Sequence, residues 1–552
     1  MSESMNIGYI TEGGLKEGFT ARLTVSPEFV QEGSFVVAEN GTRRFYGLVT
    51  DLKLRAADPR FLDRRALDRI PDAIRRQFAD RVLYTEMDIL PSMMQDVGMD
   101  LLDENYKGIT GNEDPTPIPV KMVPPHYSPV RLGDAADVAS VFGKTDKKTN
   151  MEIGSTREQG HPVALNLEKF VQRSSGIFGS TGTGKSFLTR MILAGLIQKG
   201  IASTLVFDMH NEYAYGAKSE GKNTEVPGLK NKLPGRVKVC TLGVGGSING
   251  KRSDFDLVIG YKDVTAEDIL MLSRTLNLRE TTATTLSVLV KSFGGDWFRK
   301  FMDLGSDGND TVEIWAQNNN VNEMAAAALQ SKLRRLYDKK YLDDVSSDSA
   351  VNAIVNALEN GISVIVSFDK YQNDLDYLFV ANILTRKVRE AWIKKSDAYL
   401  ADKTKNPKPI QLVVAIEEAH KLLSREMASQ TSFSVIAREM RKYSVTLLVI
   451  DQRPSQIDDE IMSQLGTRVS GWLGDEDDIK AVLSGLSGRD ALRGMLARLQ
   501  QKQEVLLLGY GVPMPLPIRS RLYDNEFWKD LLGTDRDEVI VPSKKDDFLT
   551  NF

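Results

Sequence analysis

The stretch GIFGSTGTGKSFLTRMIL, Gly176 to Leu193, sets the class of fold. It holds Gly179, then Ser180, Thr181, Gly182 and Thr183, then Gly184, Lys185 and Ser186, which is the G-x-x-x-x-G-K-[ST] pattern. Glycines let the backbone curl until its N–H groups face phosphate oxygens. A helix beginning near Lys185 adds the positive end of its dipole. Lys185 then reaches the β- and γ-phosphates of ATP, and Ser186 reaches Mg2+. An apolar strand precedes the loop and an amphipathic helix follows it, the setting this loop requires. A glycine-rich turn without a ligand is the plain alternative, and that setting argues against it.

Outward from the loop, strands alternate with helices from about residue 160, the rhythm of a parallel α/β sheet. The expected strands are SGIFG, STLVFD ending at Asp208, VKVCTL, ISVIVSFD ending at Asp369, LVVAIE ending at Glu417 and VTLLVID ending at Asp451, with RVSGWL and EVLLLG after them. Residues 264–345 read as a helical insertion; TAEDILMLSRTLNL opens with Thr265 and carries Asp268 three residues on, a capping-box start.

Toward the N-terminus the pattern is β. FTARLTV, GSFVVAE and RRFYGLVTDLKL are short runs rich in Val, Phe, Tyr and Leu, and Asn40-Gly41 makes a hairpin turn. Short strands without an intervening helix predict a small barrel. Residues 56–80 are charged and irregular, a helix or an excursion from the barrel; VLYTEMDIL adds more β, and DPTPIPVKMVPPHYSP reads as an extended connector. The end, LGTDRDEVIVPSKKDDFLTNF, is polar and reads as a tail or arm.

Composition bounds the rest. With 552 residues the chain exceeds one ordinary domain, and 41% hydrophobic with 26% charged residues is a globular balance. The net charge of −4 gives no overall positive field, so a nucleic-acid partner needs local basic loops. Cys240 is the single cysteine, so no intrachain disulfide forms, which fits a reducing cytoplasm. The N-terminus lacks the pattern of a signal peptide, and no apolar run approaches about 18 residues, so no membrane partner is expected.

VVAIEEAHKLL, Val413 to Leu423, places Glu417 and Glu418 at the end of an apolar run, where alternation sends them in different directions. Alone, the pair also fits a strand ending in a solvated acidic turn. Beside a phosphate loop, one such carboxylate holds magnesium and the other polarises the attacking water: Glu417 takes the metal position and Glu418 the water position. FDMHNEY brings Asp208, His210 and Glu212 to another strand end, where ligands bind in such sheets. Gln452, in VIDQRPSQI, stands at a further strand end and is placed to sense the γ-phosphate or the water, or else is a turn residue. Arg438 and Arg441 in VIAREMRKYS are three apart and share a helical face. In a ring this face meets the neighbour's nucleotide; a solvated basic face is the commoner use of such arginines.

RSSGIFGSTGTGKS, FDMHNEY, AIEEAH, AREMRKYS and DQRPSQ, in this order, resemble the HerA family of the HerA/FtsK class of ring ATPases, over roughly residues 1–520. The resemblance implies an α/β fold: a RecA-like P-loop ATPase core with a small N-terminal β-barrel and a helical insertion. It implies domains at 1–155 (barrel and connector), 156–263 and 346–520 (core), 264–345 (insertion) and 521–552 (tail). It further implies an ATP-dependent hexameric DNA translocase or helicase that moves double-stranded DNA through a central channel without sequence preference, with a NurA-like nuclease partner on the barrel side, in DNA-end processing. By position, Arg173 resembles the family's cis-acting arginine, and Arg441, ahead of Arg438, the trans-acting one.

Three features depart from the family pattern. Asn211 stands where glycine is usual, though asparagine tolerates positive φ. Glu417 replaces the commoner aspartate. Residues 56–150 are long for the barrel domain. For DNA contact, the loop GAKSEGKNTEVPGLKNKLPGRVK offers Lys218, Lys222, Lys230, Lys232, Arg236 and Lys238 as a basic rim, or as an ordinary solvated loop. A second expectation keeps the motor fold but makes the chain the ATPase of an antiphage defence complex that assembles and regulates a nuclease or sirtuin-like effector, more scaffold than motor.

Overall fold

The computed structural model describes residues 5–58, 82–96, 116–218, 225–306, 310–344, 349–371 and 373–533. Most of the charged stretch expected at 56–80, Lys222 and the C-terminal residues beyond 533 lie outside these. The chain divides into two compact units. One holds residues 1–170, 178–185 and 466–522, the other 171–177, 186–465 and 523–552. This partition differs from the expected boundaries, because strand pairing across the sequence groups 466–522 with the N-terminal residues.

In the first unit, β1 (Asn6–Gly14), β2 (Gly18–Leu23), β3 (Phe35–Glu39), β4 (Arg43–Ala56), β5 (Leu83–Asp96) and β7 (Pro129–Leu132) close a barrel; β6 (Ile118–Pro119) adds to β5. The order is β2-β1-β7-β3-β4-β5, and β5 pairs back onto β2, Phe19 opposite Ile89. Alternation fills the interior: Phe19, Ala21 and Leu23 from β2 meet Val36, Phe45, Val49, Met87, Ile89 and Val130. Each such large apolar side chain contributes about 1.5–3 kcal/mol. The Asn40-Gly41 turn is present; Asn40 Oδ1 accepts the Arg43 N–H at 2.8 Å and Gly41 has φ 86°. The extended connector is a correction. It contains β6 and runs into β7, where Pro129 opens the strand, the position at which a missing N–H is tolerated. The same unit carries an antiparallel series: Thr467–Ser470, Glu504–Gly509, Leu516–Ser520, β8 (Asn150–Thr156) and β9 (Pro162–Asn166).

The second unit is built on a parallel sheet. Its strands are β10 (Ser175–Phe178, ending at the unit boundary), β11 (Ser203–Asp208), β12 (Val237–Leu242), β13 (Phe255–Leu257), β14 (Ser363–Ser367), β15 (Leu412–Glu417) and β16 (Val445–Asp451). They lie in the order β13-β12-β14-β11-β15-β16-β10. β11, β15 and β16 are buried along their whole length, which explains their continuous apolar runs. The carboxylates they carry stand at their C-terminal ends.

The insertion is helical as expected: Ala266–Met271, Thr282–Phe293, Trp297–Met302, Val312–Asn318 and Glu323–Tyr337. The Thr265 capping box forms, with Asp268 Oδ2 accepting the Thr265 N–H at 2.8 Å. Buried Asp268 also receives Arg386 from the helix Asp374–Ala401, Nε to Oδ1 and Nη2 to Oδ2, both at 2.9 Å. One carboxylate thus caps a helix and ties the insertion to the sheet's cover. The C-terminal segment is not wholly an arm. Asn525–Leu532 is a helix capped by Asp524 and closed by Gly533 at φ 74°, with Phe527 and Trp528 buried.

Candidate active site

The phosphate loop has the shape its glycines allow. Gly182 and Gly184 take φ of 82° and 89°, and a Cβ on either meets nothing within 4 Å, so room for an anion lies beside them. At Gly179 a Cβ would come within 2.6 Å of Thr183 Oγ1. Thr183 closes the loop internally, donating through Oγ1 to the Ser180 carbonyl at 2.8 Å. The Ser180 N–H donates to the Trp472 carbonyl and the Gly471 N–H to that of Phe178. Lys185 and Ser186 begin the helix Lys185–Gln198. The loop therefore fits a polyphosphate by its backbone.

At the strand ends of the second unit, four acidic residues are held in two ways. Asp208, fully buried at the end of β11, accepts the Glu212 and Tyr213 N–H groups at 2.9 and 3.0 Å. Burial, and then the charge of Glu417, push its carboxyl well above the usual range. Glu417, ending β15, accepts the Met209 and His210 N–H groups on Oε2, both at 3.1 Å. Its Oε1 lies 3.6 Å from His210 Nδ1, and Glu417 raises the His210 pKa. Two carboxylates thus fix the 209–213 loop by four backbone donors. Within it Asn211 adopts φ 60°, the positive value that its short polar side chain tolerates, and its Oδ1 accepts the Ser367 hydroxyl at 2.5 Å.

Glu418 is held differently. Its φ is 47°, its Oε1 accepts Gln452 Nε2 at 2.7 Å, and its Oε2 lies 3.5 Å from His420 Nδ1. Because β15 and β16 are parallel neighbours, Gln452 stands one residue past the strand end beside the acidic pair. Asp451, closing β16 with no exposed surface, accepts the His420 N–H at 2.6 Å, the Arg453 N–H at 2.7 Å and His420 Nδ1 at 2.9 Å. The Asp451 hydrogen bond raises the His420 pKa; burial opposes, but His420 holds the Asp451 carboxyl below its usual range. Among the described residues, Glu418, His420 and Asp451 bring possible metal-ligand atoms within 4.8 Å of one another. The N–H donors on Asp451 make this a hydrogen-bonded cluster. Asp451 and His420 carry no motif of their own in the sequence, although a lone acid closing a largely apolar strand is a signal for the first.

The remaining residues are placed as follows. Arg173 is exposed just before β10. Arg438 and Arg441 do not share one α-helix: the helix ends at Glu439 and a 3₁₀ turn, Met440–Tyr443, carries Arg441. Exposed Arg438 pairs with Glu460 at 2.9 Å, whereas Arg441 makes no ion pair among the described residues. Glu212 leaves a buried Oε2 without a hydrogen bond among the described residues. In the basic loop, Lys230 pairs with Asp254 at 2.8 Å and Arg236 donates to the Ile197 and Gln198 carbonyls, so both serve the fold.

A phosphate loop of this shape, leading from an apolar strand into a helix, is that of a P-loop ATPase, an ATP-hydrolysing enzyme. Residues 151–388 match the family described as the helicase HerA central domain. The chain resembles HerA proteins along nearly its whole length. It is 24% identical over 532 residues to the DNA double-strand break repair helicase HerA of Sulfolobus acidocaldarius, covering 95% of this chain and 94% of that protein. The HerA of Sulfurisphaera tokodaii is 25% identical over 434 residues, 74% of this chain and 75% of that one. Among solved structures, VirB4 of Thermoanaerobacter pseudethanolicus aligns with a TM-score of 0.44 and 17% identity, over 69% of this chain and 98% of that one. No helix of the described residues is long and apolar enough to cross a membrane.

Proposed function

We propose that the chain is an ATP-driven translocase that moves double-stranded DNA through a hexameric ring and works with a nuclease partner at the barrel. The observation that carries the motor reading is the Glu418–Gln452 hydrogen bond at 2.7 Å, joining the water-activating carboxylate to a residue able to report on the phosphate. The HerA relatives, described as DNA double-strand break repair helicases, support DNA as the track.

In this reading the 179–184 backbone and Lys185 bind the phosphates of ATP, and Asp208 and Glu212 shape the 209–213 loop. Ser186 and Oε1 of Glu417 would hold Mg2+, which neutralises phosphate charge when bound. Glu418 accepts the proton of the attacking water. Gln452 holds that carboxylate in register. Arg173 acts on the chain's own nucleotide and Arg441 on a neighbour's, spreading transition-state charge.

The test is hydrolysis by the full chain with and without linear duplex DNA, beside displacement of a third strand bound to that duplex. Stimulated hydrolysis with displacement supports the motor. Hydrolysis indifferent to duplex DNA, with no displacement, overturns it.

A further inference from the structure

We propose that His420, anchored by buried Asp451, is the positioning residue for Glu418. The inference rests on Glu418 as the water-activating group. Glu418 has a φ of 47°, and a non-glycine residue held there costs on the order of 1 kcal/mol or more unless its surroundings impose it. Those surroundings are visible. The Lys421 N–H donates to the Glu418 carbonyl at 2.9 Å, and Gln452 holds Oε1. The remaining oxygen, Oε2, faces the His420 ring at 3.5 Å.

The ring cannot choose its own orientation. Asp451 is wholly buried and accepts N–H donors on both oxygens, so it is ionised, and the ring nitrogen facing it carries a proton. Nδ1 therefore points into the gap between Asp451 and Glu418, 2.9 Å from one and 3.5 Å from the other. The backbone N–H of His420 binds Asp451 separately, at 2.6 Å. Removing the ring leaves that bond and the turn it secures. The ring's additional role is to stand against Oε2 of Glu418, its Nδ1 proton bound to Asp451, and so keep that carboxylate in one rotamer. Lys421 is the other charge that acts on the ring.

The experiment measures kcat and KM for ATP in the full chain for H420A, H420N, H420Q, E418Q and H420A/E418Q, with melting temperature as the folding control. Misplacing a catalytic group by about 1 Å lowers turnover by up to roughly a hundredfold. H420A should show that loss in kcat with KM within about twofold. H420N, whose amide nitrogen stands where Nδ1 does, should recover most of it; H420Q, whose nitrogen stands further out, should not. In the E418Q background H420A should add nothing, because the ring acts through Glu418. Wild-type turnover in H420A, equal activity of H420N and H420Q, or multiplying losses in the double variant overturns the proposal. If H420A fails to fold, the contrast between H420N and H420Q decides. Full hydrolysis by E418Q is the separate outcome that removes Glu418 from its role.

Discussion

The loop after β11 and the turn after β15 both bury carboxylates, and they fasten them by different means. Asp208 and Glu417 meet backbone N–H groups of residues 209–213. Glu418 meets the side chains of Gln452 and His420. A carboxylate clamped by main-chain donors shapes the chain around it and has little freedom to reorient. One held by side chains depends on groups that a substitution can remove without taking away a backbone bond.

The two arginines extend the contrast and give the largest expected effect. Arg438 is engaged by Glu460, while Arg441 has no such pair among the described residues. R441A should lower ATP hydrolysis by roughly 10³–10⁵-fold with nucleotide binding intact. R438A should cost little, since an exposed ion pair contributes about 0–1 kcal/mol. Steady-state hydrolysis beside equilibrium nucleotide binding decides this, and an equal loss in both variants would erase the distinction.

Next in size is E418Q, expected to lower turnover by about 10²–10⁴-fold and to leave the melting temperature close to wild type. Glutamine keeps an oxygen for Gln452 to reach. A large fall in melting temperature would place Glu418 with Asp208 and Glu417 among the structural carboxylates.

Much of this was legible in the chain. The phosphate loop, the acidic strand ends and the Thr265 capping box follow from local patterns, each complete within a few residues. β7 was not, because a barrel's closing strand is defined by partners far away in sequence, and Pro129 disguised its start. The grouping of 466–522 with the N-terminal unit is likewise a matter of pairing. Arg441 was assigned to an α-helix because the 3.6 period runs on through the sequence, whereas the chain tightens to 3₁₀ at Met440. His420 shows a further limit: a side chain's use depends on what stands across from it, here Asp451, 31 residues away.

D208A tests the structural half of the comparison. It leaves the Glu212 and Tyr213 N–H groups without their acceptor, at about 1–3 kcal/mol each, so thermal stability should fall clearly. Hydrolysis measured well below the new melting temperature should suffer less than in E418Q. If D208A melts like wild type, main-chain clamping is not what holds the 209–213 loop.

The smallest effect is a pH dependence, and its sign distinguishes the groups. His420 has a folded pKa above 6.5, so its contribution is complete below 6.5 and is lost as pH rises through the higher folded value. Asp451 has a folded pKa below 3.8, so its contribution is present above 3.8 and is lost only as pH falls through the lower folded value. The pair therefore stabilises the fold on a plateau between those limits. Asp208, raised from 3.8, loses its contribution as pH rises, in the same direction as His420. Melting temperature should thus decline on the alkaline side, and H420N should remove the His420 part, leaving the decline due to Asp208. Superimposable profiles for wild type and H420N would show that the imidazole carries no extra charge in the fold. The ring would then hold Glu418 as a neutral donor, a weaker grip that a water molecule can replace.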